Sequence, residues 1–162
     1  MKQLRPHIDG ILAEFFSRHL EGKAGLRRKR IERVEQRLRE CLEMEGHRVL
    51  VTSDLVLLEA EREFHPDDAF ARTMHADDLI YVLDTFVRDP WLSQDPTDRR
   101  VQLRVTDALA GAILGHRLVD RQQMMCPLLD LRAAIDDAQR ALKKEAARSD
   151  VTQQAGRSRS GR

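Results

Sequence analysis

Hydrophobic side chains recur along this chain every three or four residues, the spacing that places them on one face of an α-helix. The pattern predicts a first helix over about residues 6–20 and a second over about residues 26–45. The connector between them, residues 21–25, is short and glycine-containing, which predicts an antiparallel helical hairpin. The apolar faces are Ile8, Ile11, Leu12 and Phe15 in the first helix, and Ile31, Val34, Leu38, Cys41 and Leu42 in the second.

The same spacing predicts further helices in the rest of the chain, ending in a long C-terminal helix. The start near residue 96 is the clearest, because Asp95 is a good N-cap residue and Pro96 suits the first helical turn. The predicted helices cover about residues 54–64, 77–87, 96–121 and 127–148, and residues 66–74 form a turn or short helix.

Two segments compete with this helical interpretation. Val49, Leu50 and Val51 make a short apolar run, and residues 101–106 alternate between apolar and polar positions like a half-buried strand. The two segments could pair with each other as strands. We favour the helix for residues 101–106, because no turn signal separates them from the helical pattern that follows.

The composition supports helices packed on helices. Aromatic residues make up only 4% of the 162 residues, so the core must consist of Leu, Ile, Val and Ala, which favours a helical bundle over a sheet. We expect an all-α, single-domain bundle of about five to six helices over residues 1–148. Residues 149–162 are polar and carry three arginines, which predicts a disordered basic tail.

The last predicted helix carries an apolar row typical of a coiled coil. Its members step by three and four residues over about two heptads. Such a row predicts a seam for a partner helix, either of another protein or of a second copy in a homodimer. The residues of this seam are Leu128, Leu131, Ile135 and Leu142, with Ala138 between the last two.

Charge is segregated along the first half of the chain, although the net charge is only +1. Residues 23–40 carry eight basic and three acidic side chains, a net +5, whereas residues 43–78 carry ten acidic and three basic ones, a net −7. The basic helix predicts a nucleic-acid site through phosphate contacts. A solvated face, or docking on the acidic segment, explains the same pattern. The candidate phosphate-binding residues are Arg27, Arg28, Lys29, Arg30, Arg33 and Arg37.

A weaker pattern raises a metal hypothesis. Histidine and carboxylate ligands suit zinc, iron or manganese. Paired acids at the starts of two successive helices explain the same residues through capping and the helix dipole. We therefore expect no metal or other cofactor, and no catalytic motif is recognisable. The residues concerned are Glu61, His65, Asp68, His75 and Asp78.

The two cysteines, Cys41 and Cys126, lie far apart and predict neither a disulfide framework nor a zinc knuckle. Cys41 lies on an apolar helix face and is expected to be buried, whereas Cys126 precedes Pro127 at a helix junction. The N-terminal residues lack the apolar stretch of a signal peptide, and no run is long enough to span a bilayer. We expect a cytoplasmic protein with no membrane contact.

Residues of about Ile8 to Glu45 show a family resemblance. An apolar first helix with phenylalanines, then Gly25-Leu26, then Ile31 and Leu38 on a basic helix resemble the N-terminal core-binding domain of tyrosine recombinases. The resemblance implies that this helical pair grips duplex DNA. It covers under a third of the chain, and the catalytic domain of that family has no counterpart here.

Two functions follow as hypotheses. The favoured one is a non-enzymatic helical interaction protein that acts through helix–helix association. The alternative is a nucleic-acid-binding accessory or regulatory protein that uses the basic second helix.

Overall fold

The computed structural model describes residues 5–158, and within them the chain is all-α, with no β-strand. A single apolar cluster joins the helices into one bundle, as expected. The helices are α1 (Ile8–Leu20), α2 (Gly25–Glu45), α3 (Thr52–Phe64), α4 (Ala69–Thr73), α5 (Ala76–Phe86), α6 (Pro96–Gly115) and α7 (Met125–Ser158). The antiparallel hairpin predicted at the N-terminus corresponds to α1 and α2, and Gly22 supplies the left-handed conformation (φ 70°) that the connector requires.

Helix α5 lies at the centre of the bundle and packs chiefly against α7 and α2. Six of its eleven residues are buried, because apolar side chains occupy most positions around it. The core is mainly aliphatic, as the composition predicts, and its three largest fully buried side chains are phenylalanines. The fully buried α5 residues are Leu79, Ile80, Val82, Leu83 and Phe86, and the other two core phenylalanines are Phe16 and Phe70.

Side chains of α2 hold the short helix α4 in place. Glu43 accepts the backbone N–H of Phe70 at 2.7 Å, which satisfies one of the free donors at the start of α4. Arg39 donates to Asp9 of α1 at 2.8 Å and pairs with Asp68 at 3.5 Å. Burial acts to lower the pKa of Arg39, but the hydrogen bond to Asp9 and the nearby carboxylates outweigh burial and raise that pKa.

A buried glutamine fastens the loop between α5 and α6. The Gln102 side-chain nitrogen donates to the carbonyl oxygens of Phe86 (2.9 Å) and Trp91 (3.1 Å), and its oxygen accepts the Ser93 N–H at 2.9 Å. Arg37 of α2 donates to the same Trp91 carbonyl at 2.5 Å. Because all polar atoms of the Gln102 amide have partners, its burial carries little of the usual desolvation penalty.

Neither strand candidate forms a β-strand, and Leu50 and Val51 are extended backbone between a 3₁₀ turn and α3. Residues 46–49 form a 3₁₀ turn (Gly46–Val49) directly after α2, and residues 101–106 lie within α6. In α6 the buried positions include Leu103, Val105 and Thr106, so the side chains that alternate in sequence point to several packed neighbours rather than to one sheet face.

Helix α6 is shorter than predicted and ends at Gly115 rather than near residue 121. Arg117 adopts a left-handed conformation (φ 54°). The Leu118 N–H bonds the Ile113 carbonyl at 3.0 Å and the Arg117 N–H bonds the Leu114 carbonyl at 3.1 Å, the hydrogen-bond pattern of a Schellman motif. The stop was missed because glycine usually occupies the left-handed position.

Helix α7 runs to Ser158, so the predicted tail over residues 149–162 is corrected for its first ten residues. Residues 149–155 contain neither proline nor glycine, and an existing helix is extended at far lower cost than a new one is nucleated. The hydroxyls of Ser149 and Thr152 donate to the carbonyls four residues earlier. Residues 159–162 lie outside the described residues.

Over the described part of the chain, no helix combines the length and the apolar character needed to cross a membrane.

Candidate protein-interaction surface

Helix α3 lies at the edge of the bundle and packs chiefly against α4. Only one of its thirteen residues, Leu58, is buried, and Leu55 beside it is half-buried. Arg62 lies on the same inner side and donates to the Glu43 carbonyl at 2.8 Å. These three side chains and the ion pair between Glu61 and Arg72 of α4 attach α3 to the rest of the protein.

The opposite side of α3 is apolar as well, and it is exposed. At about 100° per residue, Val56, Leu57, Ala60 and Phe64 fall within roughly one third of the helix circumference, on the side away from Leu58. The exposed fractions are 62% for Val56, 51% for Leu57 and 77% for Phe64. We call these four residues the α3 stripe. An apolar ridge of this kind is more than scattered surface hydrophobicity, because its members are neighbours on one helix face.

Carboxylates border the α3 stripe on both sides. Glu59 and Glu63 lie along one edge and are exposed, and neither forms an ion pair with any described residue. Asp54 and Glu61 lie along the other edge, where Glu61 pairs with Arg72. With four acids and one basic residue, α3 carries a net charge of −3, and the basic residue, Arg62, is turned inward.

An acidic groove of about 710 Å³ begins close to the C-terminal end of the α3 stripe. It lies between α2 and the segment before α4, and Pro66 in its wall follows Phe64 by two residues. The exposed Met44 (64%) is its one large apolar side chain. Arg39 is its single basic residue, and its acidic residues are Glu32, Glu35, Glu40, Glu43, Asp67 and Asp68.

The predicted coiled-coil seam on α7 is occupied by the chain itself. Leu131, Ile135 and Leu142 are buried against other helices of the same molecule, and Leu128 is partly buried against the same core. Helix α7 packs on α5 and α6, which explains the spacing of the seam without a partner chain. Association through these side chains would require the bundle to open.

The predicted phosphate-binding row is divided by the fold. Arg30 and Arg33 both pair with Asp98 at the start of α6 (3.4 and 3.5 Å), and Arg37 is half-buried against the loop that precedes α6. Lys29 remains exposed and forms no ion pair with a described residue. Arg27 is likewise exposed and forms no ion pair with a described residue, whereas the exposed Arg28 pairs with Glu32 on its own helix at 2.9 Å.

The metal hypothesis finds no site within residues 5–158, where no three histidine, cysteine or acidic side chains are placed to hold an ion. Glu61 is engaged by Arg72, and the ring of His75 stacks on that of His7 at 4.7 Å. Asp78 accepts the His75 N–H at 3.3 Å as part of the α5 cap, the role that the alternative interpretation gives it. His65 ends α3 and Asp68 pairs with Arg39.

Two further grooves are apolar, but the charged residues around them are of both signs. A groove of about 690 Å³ between α6 and α7 exposes Met125 and Leu129, and the Asp107–Arg132 ion pair (2.9 Å) lies on its rim. A cleft of about 630 Å³ between α1 and α6 contains His19. Burial lowers the pKa of His19, and nearby basic residues act in the same direction.

The sequence pattern did not single out the α3 stripe. Its signal is present, because α3 has apolar residues on two opposite faces, whereas a helix at the edge of a bundle needs only one. Leu55, Leu58 and Arg62 face the rest of the bundle, whereas Val56, Leu57 and Phe64 are each more than half exposed.

No family model, no curated protein and no solved structure matches this chain. The resemblance of residues 8–45 to tyrosine recombinases is carried by the quoted residues alone.

Proposed function

We propose that the protein is a non-enzymatic, cytoplasmic interaction module that binds a helix of another chain through the α3 stripe. The observation that carries this proposal is the exposure of Val56, Leu57 and Phe64 on one face of a helix whose opposite face is already packed. Burial of such side chains by a partner is favourable by roughly 25 cal/mol for each Å² of apolar surface removed from water.

The shape of the surface supports a helical partner. The α3 stripe is a ridge that extends about 12 Å along the helix axis from Val56 to Phe64, at 1.5 Å per residue. An amphipathic helix that crosses it can place its own apolar residues between these side chains, as packed helices do within proteins. Phe64 is the expected anchor, since large aromatic side chains dominate the binding energy of many interfaces.

A displayed library of amphipathic helical peptides tests the proposal. We expect peptides to be enriched on the native protein and to lose at least tenfold in affinity for the double variant Leu57→Ser/Phe64→Ser. A matched control is Met125→Ser/Leu129→Ser, which removes two exposed apolar side chains of α7, outside the α3 stripe, and should leave binding unchanged. Enrichment that is equal on all three proteins would contradict the proposal.

Nucleic-acid binding is the second candidate, favoured by the exposure of Arg27 and Lys29 without ion pairs among the described residues. With Arg28 they offer about three phosphate contacts, because Arg30, Arg33 and Arg37 are engaged elsewhere. The logarithm of the binding constant should then fall with the logarithm of salt concentration with a slope of about −2.7, from roughly −0.9 per phosphate. Fluorescence anisotropy with labelled duplex DNA measures this slope, and an absence of binding at low salt would remove the candidate.

A further inference from the structure

We infer that the helix bound by the α3 stripe is basic: its apolar face is bordered by lysine or arginine side chains. The inference rests on the proposed function and names the chemistry of the partner. Three features of the described residues lead to it: the placement of the acids beside the stripe, the absence of pairing for two of them, and the charge of the neighbouring groove.

The first feature is the position of the acids. Glu59 and Glu63 are one helical turn apart along one edge of the stripe, and Asp54 and Glu61 lie along the other. A helix that covers Val56, Leu57 and Phe64 therefore meets carboxylates on both sides of the contact. Charges at the rim of an interface select partners by complementarity and speed their approach.

The second feature is that Glu59 and Glu63 form no ion pair with the described residues, although Arg62 lies between them in sequence. Arg62 is turned toward Glu43 instead, with a distance of 3.4 Å between the charged groups. A partner that shields these two carboxylates from water without pairing them would pay a desolvation cost, whereas lysine or arginine offsets that cost.

The third feature is the acidic groove near Phe64, which extends the negative potential beyond the end of the stripe. Four of its six acids are paired within the described chain, and the two that form no ion pair there are Glu40 and Asp67. A helix longer than the stripe would carry further basic residues over this groove.

The same charges disfavour two other occupants. In a symmetric dimer of α3 stripes, the bordering carboxylates of the two copies would face one another, and like charges across an interface oppose association. An anionic lipid surface would repel this face for the same reason, since membrane-binding helices carry lysine and arginine around their apolar face.

Two displayed peptide libraries test the inference on the full chain. They share one randomised apolar face and differ only in the bordering positions, which are lysine in one library and glutamate in the other. We expect the best lysine-bordered peptides to bind about tenfold or more tightly than the best glutamate-bordered ones, the combined effect of two or more rim ion pairs. The difference should shrink as salt is raised.

The charge-reversal variant Glu59→Lys/Glu63→Lys supplies the second arm, and its library preference should turn toward glutamate. A matched control, Glu21→Lys/Asp150→Lys, makes the same change in net charge at two exposed positions outside α3, one in the α1–α2 connector and one on α7, and should keep the lysine preference. Circular dichroism establishes that each variant is folded, so that lost binding is not lost structure.

The outcomes separate the inference from the proposed function. The inference of a basic partner is overturned if the two libraries bind equally, or if the lysine preference is unchanged in Glu59→Lys/Glu63→Lys. In either case the α3 stripe remains a binding surface. Binding of neither library overturns both. Light scattering adds one more outcome. A dimer that dissociates in the Phe64→Ser variant would show that a second copy of the chain occupies the α3 stripe, and this would overturn the inference.

Discussion

Helices α5 and α3 are similar in length and both carry several apolar side chains, yet those side chains are buried to very different degrees. Six of the eleven residues of α5 are buried, whereas one of the thirteen residues of α3 is buried. Helix α5 is covered by α2 and α7, while α3 packs chiefly on the five-residue α4. Apolar spacing therefore predicts which residues share a helix face, but not whether that face is covered by the same chain, by a partner or by water.

The comparison also separates two uses of hydrophobic burial. The apolar residues of α5 contribute to the stability of this chain by itself, whereas those on the outer face of α3 contribute little until a partner covers them. Substitutions in the two helices should therefore affect different measurements.

The largest effect is expected for Phe86→Ala in α5. Phe86 is fully buried in the core, so its loss removes a large apolar side chain and leaves a cavity. The free energy of unfolding should fall by about 3–5 kcal/mol, measured by denaturant titration. Tyr81→Ala on the same helix is the control, since Tyr81 is 45% exposed, and it should cost clearly less. Equal losses from the two changes would break the comparison.

A smaller loss is expected for Leu58→Ala, the one buried position of α3. The free energy of unfolding should fall by about 2–4 kcal/mol. Because few other contacts hold α3, limited proteolysis should cut within residues 52–64 before the rest of the protein unfolds. Protection of that segment equal to the protection of α5 would show that α3 is held more firmly than its contacts indicate.

The double variant Leu57→Ser/Phe64→Ser should change the free energy of unfolding by less than about 1 kcal/mol, because both side chains are already exposed to water. The same variant is expected to lose partner binding, so stability and binding should separate. A loss of several kcal/mol, measured by denaturant titration as above, would mean that the α3 stripe is part of the core.

The two cysteines provide a further test of the contrast between buried and exposed side chains, through the reactivity of their thiols. Cys41 is buried on α2, and burial together with the nearby Glu45 raises the pKa of its thiol to about 12. Cys126 is exposed. One thiol should therefore react with a chromogenic disulfide reagent in the native protein and two in denaturant, and Cys126→Ser should abolish the native reaction. Rapid reaction of both thiols in the native state would contradict the burial of Cys41.

The helices were predictable because each predicted apolar face is continuous over several turns. The α5 face is the clearest case, with the Leu79, Ile80, Leu83 and Phe86 positions all buried. The predicted ends were less accurate. The stop of α6 depends on Arg117 in a left-handed conformation, and the continuation of α7 to Ser158 depends on the low cost of extending a helix that is already formed.

The candidate site was less predictable, because it depends on contacts between residues far apart in sequence. Arg37 reaches Trp91, which is 54 residues away, and no local pattern shows that this arginine is taken from the basic row. Similarly, the charge blocks were visible in the sequence, but the exposure of Phe64 was not. It follows from the packing of α3 on α4 through the face opposite to it.

Trp91 is the only tryptophan in the chain, and it stands where three parts of the molecule meet. Gln102 of α6 and Arg37 of α2 hold its carbonyl, and its indole nitrogen donates to Glu45 at 3.4 Å. All ultraviolet emission from indole therefore originates at this one junction. The intrinsic tryptophan fluorescence should therefore report the separation of α2 from α6 without an added dye.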